Sequence, residues 1–261
     1  MRFSDLMRSI WRDAGASSVE VPEDWLQGRS VFGGLQVALV VDAMRALVPA
    51  TVPLRTLQVT FVAPVPAGTM RAAARVLRTG KSATHVEGRL ADGDLALATA
   101  IGVFGIARPS AIARAPRRPD VAAHRPCEFP YVPGFSPAFT QHFDARWVRG
   151  GVPFSGDPSH EMAVELDFRD AGPASEAHVI ALADYVPPVA LSMVARPTPG
   201  SSLTWMLELT ADRFDTWPLQ GWRADVEMVA ARDGYTSQST LVWAPDGALV
   251  AISRQSMVVF G

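Results

Sequence analysis

Few side chains in these 261 residues stand in a spacing that does familiar chemistry. Gly80-Lys81-Ser82 has the ending of a phosphate-binding loop. The glycine required five residues earlier is Arg75, and the tripeptide joins two alternating segments instead of opening a helix, so nucleoside triphosphate binding is excluded. No Gly-x-Ser-x-Gly elbow offers a seryl nucleophile. The five histidines, at 85, 124, 142, 160 and 178, have no metal-ligand spacing, and no metal or organic cofactor is expected. The one cysteine, Cys127, lies in Arg-Pro-Cys-Glu-Phe-Pro and allows neither an intrachain disulfide nor a thiolate cluster, which suits a reducing, cytoplasmic setting. Two carboxylates, Asp42 and Asp184, stand in otherwise apolar runs of helical length.

The elements that must position them follow from hydrophobic period and punctuation. After Gly33-Gly34, the run Leu35 to Leu47 is apolar nearly all round, broken only by Gln36, Asp42 and Arg45; it predicts a buried helix stopped by Pro49 and Pro53. Strands are predicted at Thr56–Val62, Met70–Leu77, Ala83–Leu90 and Leu95–Ile106, with turns at Pro66–Gly68, Thr79–Lys81 and Asp92–Asp94. The longest uncharged apolar run lies between Asp94 and Arg108, too short to span a membrane. Arg8, Arg12 and Asp13 interrupt the amino terminus before a signal-peptide core can build up.

Prolines at 109, 116, 119, 126, 130, 133 and 137 mark an extended linker, dividing the chain into a first half at 1–108, a linker at 109–137 and a second half at 138–261. Beyond it, strands are predicted at Phe139–Val148 and Glu161–Phe168. A helix from Ala174 to Asp184 is then ended by Pro187-Pro188, and strands follow at Ser202–Leu209, Trp222–Ala230, Thr236–Trp243 and Leu249–Phe260. Each half thus reads as an antiparallel meander with one hydrophobic helix, an α+β class. Turn glycines at 80 and 234, and at 93 and 247, recur at one offset, 154, which marks a repeat. Hydrophobic residues make up 48% and the net charge is −2, leaving no basic stripe for nucleic acid.

Val31-Phe32-Gly33-Gly34 with its helix, the Arg-x-Gly-Lys-Ser turn at 78–82, and Asp246-Gly247-Ala248-Leu249-Val250-Ala251 leading to Ser253-Arg254-Gln255 resemble the type II acyl-CoA thioesterases over nearly the whole chain. The resemblance implies a tandem double hot-dog, with two antiparallel sheets each wrapping a central helix. It also implies an acyl-CoA substrate, a homodimer or higher homo-oligomer, and a polar trio in the second half: an aspartate on the second helix, a hydroxyl on the next strand and a glutamine in the last. These map to Asp184, Ser202 and Gln255, with Thr204 as a second choice of hydroxyl expected on the same face as Ser202. Gly33, Gly34, Gly80, Lys81 and Thr204 are the implied substrate contacts. Thioester hydrolysis needs a base and groups that fix the attacking water, which a carboxylate, a hydroxyl and an amide supply. The alternatives are a non-catalytic acyl-binding protein and a hot-dog enoyl-CoA hydratase. For the latter, His178 is six residues from Asp184 and off its helix face.

At the constant offset, Ile101 would match Gln255. Pairing the hydroxyl strands separately sets Thr56 opposite Ser202. One polar centre per chain, in the second half, is therefore expected, with Asp42 a bystander.

Overall fold

The computed structural model describes residues 1–13, 15–121 and 126–260. His124, one of the five histidines, lies outside the described residues. The chain begins with helix α1 (Phe3–Arg8) and strands β1 (Trp11–Asp13) and β2 (Ala16–Val21). A small ribbon of β3 (Leu26–Gln27) and β4 (Ser30–Val31) precedes α2 (Gly33–Arg45), then β5 (Leu54–Phe61), β6 (Gly68–Thr79), β7 (Ala83–Asp92) and β8 (Leu95–Gly105). After the proline-rich segment come β9 (Cys127–Glu128), β10 (Phe143–Arg149), β11 (Glu161–Phe168), α3 (Glu176–Tyr185) and the single turn α4 (Ala190–Met193). Strands β12 (Gly200–Leu209), β13 (Trp222–Arg232), β14 (Tyr235–Trp243) and β15 (Leu249–Val259) complete it.

The main elements fall where period and punctuation place them, except that Ala138–His142 forms a 3₁₀ helix and the strand predicted from Phe139 begins at Phe143. Five short ones near the amino terminus, α1 and β1 to β4, were not anticipated, because none is long enough to show a period. The linker is not bare: its Cys127 and Glu128 pair with Trp147 and Arg146 as an edge strand.

Apart from the β3–β4 ribbon, the strands of the two halves do not form a sheet each. They join in one antiparallel sheet of thirteen, in the order β1-β2-β6-β7-β8-β5-β12-β15-β14-β13-β11-β10-β9. The seam is β5 against β12, with Leu57 opposite Leu207 and Thr60 opposite Thr204. Each half on its own would expose a long strand edge at this place, and pairing the two edges satisfies both ladders. Apart from the short terminal strands, each side of the seam repeats the other's order.

Helices α2 and α3 pack on one another and on one face of the sheet, α2 against β6, β7 and β8 and α3 against β14 and β15. That double contact is why α2 is apolar all round, and ten of its thirteen residues are buried. The helices run antiparallel, and their approach is set by Gly34: a Cβ there would lie 2.9 Å from the Ala181 Cα. An aromatic cluster closes the junction between the halves. Phe32 stacks on Phe139 at 4.2 Å and Trp25 on His142 at 4.0 Å, pairs worth roughly 0.5–1.5 kcal/mol each beyond their burial. Helix α1 crosses to the second half, where Phe3 meets Phe168 and His178 and is fully buried.

A fragment ending at Arg108 would expose the β5 edge, the α3-facing side of α2, and the side of Phe3 that Phe168 and His178 cover. It is expected to aggregate on expression. A soluble monomer with a cooperative thermal transition would contradict this account of the seam.

Candidate active site

Asp184 lies on the last turn of α3, one residue before the helix ends at Tyr185. Val186 is extended, as a residue preceding Pro187 must tend to be. Because α2 and α3 are antiparallel, the carboxylate meets the start of α2, and a Cβ on Gly33 would lie 2.7 Å from its Oδ2. The Gly34 N–H, a free amide at a helix start, faces the carboxylate and favours its charged form. From the sheet, Gln255 Nε2 donates to Asp184 Oδ1 at 2.6 Å. The first half thus supplies the helix terminus and the second half the carboxylate and the amide.

Asp184 is half-buried by residue surface, yet protein surrounds its carboxylate. Desolvation pushes the acid up to about 7, against the opposing pull of the Gln255 and Gly34 hydrogen bonds. No charged side chain offsets that cost. The group is therefore poised near neutrality, where a carboxylate is most useful as a base.

The hydroxyl candidates separate. Leu203 forms a β-bulge, so Ser202 pairs with Met257 and Thr204 with Ser256. Met257 and Gln255 share the buried face, and Ser202 lies on it with them. Thr204 is on the opposite, exposed face. The expectation that the two share a face fails because the bulge adds a residue and resets the alternation. Gly80 and Lys81 are also apart from Asp184. Their hairpin sits beside Gly105 and Pro53 at the start of β5, whereas Gly33 and Asp184 lie near Phe61 at its end. An eight-residue strand separates the two places, roughly 23 Å at ~3.3 Å per step.

Asp42, the rival base, is turned away. Arg12 grips it through Nε at 3.0 Å and Nη2 at 2.6 Å, and Ser17 Oγ donates to Oδ2 at 2.7 Å. His178 is likewise occupied, its ring nitrogens 3.0 Å from Ser4 Oγ and 2.7 Å from Ser175 Oγ. Among the described residues no group of His, Cys, Asp and Glu could hold a metal ion.

Bulges also fix how the halves correspond. Leu77 in β6 matches Val229 in β13, and Arg55 in β5 matches Leu203 in β12. Both matches pair Gln255 with Gly102 at an offset of 153 (102 to 255), Gln238 with Val86, and Ser202 with Leu54. Ile101 and Thr56 are therefore not the counterparts, and the offset of 154 holds for the turn glycines alone, because the hairpin loops differ in length. At Gly102 and Gly88 the first half has no side chain, and Met44 fills the space: a Cβ at either glycine would come within 2.9 Å of it.

The sequence matches the acyl-CoA thioesterase N-terminal domain over residues 21–105 and the acyl-CoA thioesterase C-terminal domain over residues 112–259. The chain belongs to the acyl-CoA thioesterase family. Among solved structures this family member is similar to a conserved hot-dog-fold protein of unknown function from Alicyclobacillus acidocaldarius, at 22% identity and TM-score 0.87, covering 100% of this chain and 99% of that one. It is similar to the tesB protein of Mycobacterium avium subspecies paratuberculosis, at 12% identity and TM-score 0.79, covering 100% of both chains. A third is the acyl-CoA thioesterase II TesB2 of Mycobacterium marinum, at 14% identity and TM-score 0.73, covering 98% of this chain and 97% of that one. At these identities the likeness is one of fold. No curated protein matches the sequence.

The Gly34 N–H, the Phe61 ring beside Gly33 and the Gln238 amide were not singled out from the sequence. Only the Gly33-Gly34 pair offered a signal, since two glycines opening a helix mark close approach.

Burial that penalises the Asp184 carboxylate also weakens the fold as it ionises. Its folded pKa lies above the unfolded 3.8, so stability falls as pH rises from about 4 to about 7. Asp184→Asn carries no such penalty. Its melting temperature should exceed that of the unaltered chain more at pH 8 than at pH 5, measured by scanning calorimetry. An equal difference at both values would refute the burial of this charge.

Proposed function

We propose that the chain hydrolyses an acyl-CoA to the free acid and CoA, with Asp184 as general base. The observation that carries this is the 2.6 Å hydrogen bond from Gln255 to a carboxylate held against the start of α2. In this reading Asp184 takes a proton from a water as its oxygen attacks the thioester carbonyl carbon. The remaining free backbone N–H at the start of α2, that of Gly33, receives the charge developing on the carbonyl oxygen. The C–S bond then breaks, and the proton held by Asp184 passes to the departing thiolate. Gln255 fixes the carboxylate, and Ser202, on the same buried face, helps hold the water.

The two halves act as tandem hot-dog units, at 1–108 and 138–261, joined by the linker at 109–137. The second half carries the chemistry and the first contributes the helix terminus and walls. A cytoplasmic, homo-oligomeric enzyme is part of the same reading. The other hot-dog reading, a hydratase, needs a histidine beside the carboxylate, and His178 is committed to Ser4 and Ser175. A purely acyl-binding role is separated by the assay itself.

Release of free thiol from a panel of acyl-CoAs of graded chain length tests the proposal. Activity should rise with pH through a midpoint near 7, because only ionised Asp184 accepts the proton. Asp184→Asn should lose about 100-fold or more, while Asp42→Asn, in protein of matched stability, keeps most of the rate. The reverse ranking would move the chemistry to the first half.

The bulge at Leu203 makes a separate claim about hydroxyls. Ser202→Ala should lower kcat more than it raises KM, whereas Thr204→Ala, on the outer face, should change neither. A larger loss at Thr204 would reverse the assignment.

A further inference from the structure

The stretch from Asp184 to Val189 has an unusual backbone. Pro187 and Pro188 have no N–H, so the first amide after them belongs to Val189, which is buried. That amide donates to Gln238 Oε1 at 3.0 Å. Gln238 is 2% exposed, and its partner across the β14·β15 ladder is Gln255, also 2% exposed. Two neighbouring glutamines thus pin the same elbow to the sheet, Gln255 at Asp184 and Gln238 five residues later. The Ser192 hydroxyl donates to the Val189 carbonyl at 2.7 Å and stiffens the far side.

The register comparison separates this pair from generic core packing. In the first half the counterparts are Val86 and Gly102, both without an amide, and Asp42 there is held elsewhere by Arg12 and Ser17. A buried amide is costly unless hydrogen-bonded, and a hydrophobic residue demonstrably fits the equivalent place. The glutamine pair occurs in the half where a carboxylate must be aimed.

Resting on the hydrolase reading above, we infer that Gln238 is a positioning residue for Asp184. It holds the Pro187-Pro188-Val189 elbow so that the carboxylate stays within reach of Gln255 and the start of α2. It touches neither water nor substrate. The groups facing the carboxylate are the Gly34 N–H from α2, the Gln255 amide from β15 and the apolar Phe61 ring near Gly33 from β5. Losing the elbow's anchor should therefore weaken the hydrogen bonds to the carboxylate, and weaker bonds favour its neutral form.

The test uses the full chain with Gln238→Met, which keeps length and removes the acceptor. Thr240→Val is the control, since Thr240 is as deeply buried and lies two residues farther along β14. Gln238→Met is expected to lower kcat about tenfold with little change in KM, and to move the pH midpoint of kcat upward by about half a unit or more. Thr240→Val should leave the midpoint in place. A folded Gln238→Met variant with an unmoved midpoint, or a shift equally large in Thr240→Val, overturns the inference. Carbon-13 NMR titration of the Asp184 carboxyl, in the unaltered chain and both variants, reads the same shift without turnover. If no acyl-CoA is cleaved, the hydrolase reading fails while the titration still decides the role of Gln238. A Gln238→Met chain that does not fold, beside a folded Thr240→Val, would make the residue a structural anchor and also overturn the inference.

Discussion

The antiparallel contact between α2 and α3 is the constraint on which the site depends. Two helices approach this closely only where side chains are small, and Gly34 against Ala181 meets that condition. The contact places the carboxyl end of one helix beside the amino end of the other. A carboxylate there gains a backbone donor and a favourable dipole, while the packing that brings it there strips away its water. The opposition of these two effects, with desolvation the larger, leaves Asp184 near neutrality. A bulkier residue at 34 would part the helices and undo both effects together.

The sheet carries the same helices twice and gives them different jobs. In the first half the helix-facing side of the sheet is cut back to Gly88 and Gly102, and Met44 fills the space. In the second half the corresponding face carries Gln238, Thr240, Ser253 and Gln255, all buried. Polar groups at such depth are tolerated when each finds a partner, and several do: Ser253 accepts from the Trp205 indole at 2.8 Å, Gln255 donates to Asp184, and Gln238 accepts from Val189. One copy has become a packing unit and the other a polar one, and the continuous ladder at the seam keeps them in fixed relation.

Much of this was legible in the residues. The long helix showed itself as a nearly unbroken apolar run, the second helix by its prolines, and ten principal strands by alternation between marked turns. The elements that escaped were short ones, α1 and β1 among them, which leave no period to read. The union of the strands in one sheet was hidden because pairing between β5 and β12 is a matter of backbone edges about 150 residues apart. Within the site, Asp184 and Gln255 were placed by resemblance and meet in the structure. The relation of Ser202 to Thr204 was misjudged because a bulge at Leu203 cannot be seen in an alternating pattern that it interrupts only once. The same irregularity misled the matching of the halves, where a constant offset ignored loops of unequal length.

Helix α1 carries a consequence for how the two halves hold together. Its residues Phe3 and Leu6 are fully buried, and Phe3 lies against Phe168 and His178. Ser4 reaches Asp170 and His178 as well. Trp25 of the first half covers one side of the Phe3 ring, and Phe168 and His178 of the second half cover the rest. The packing of this short turn is therefore complete only when both halves are folded, and α1 acts as a clasp that ties their stabilities together.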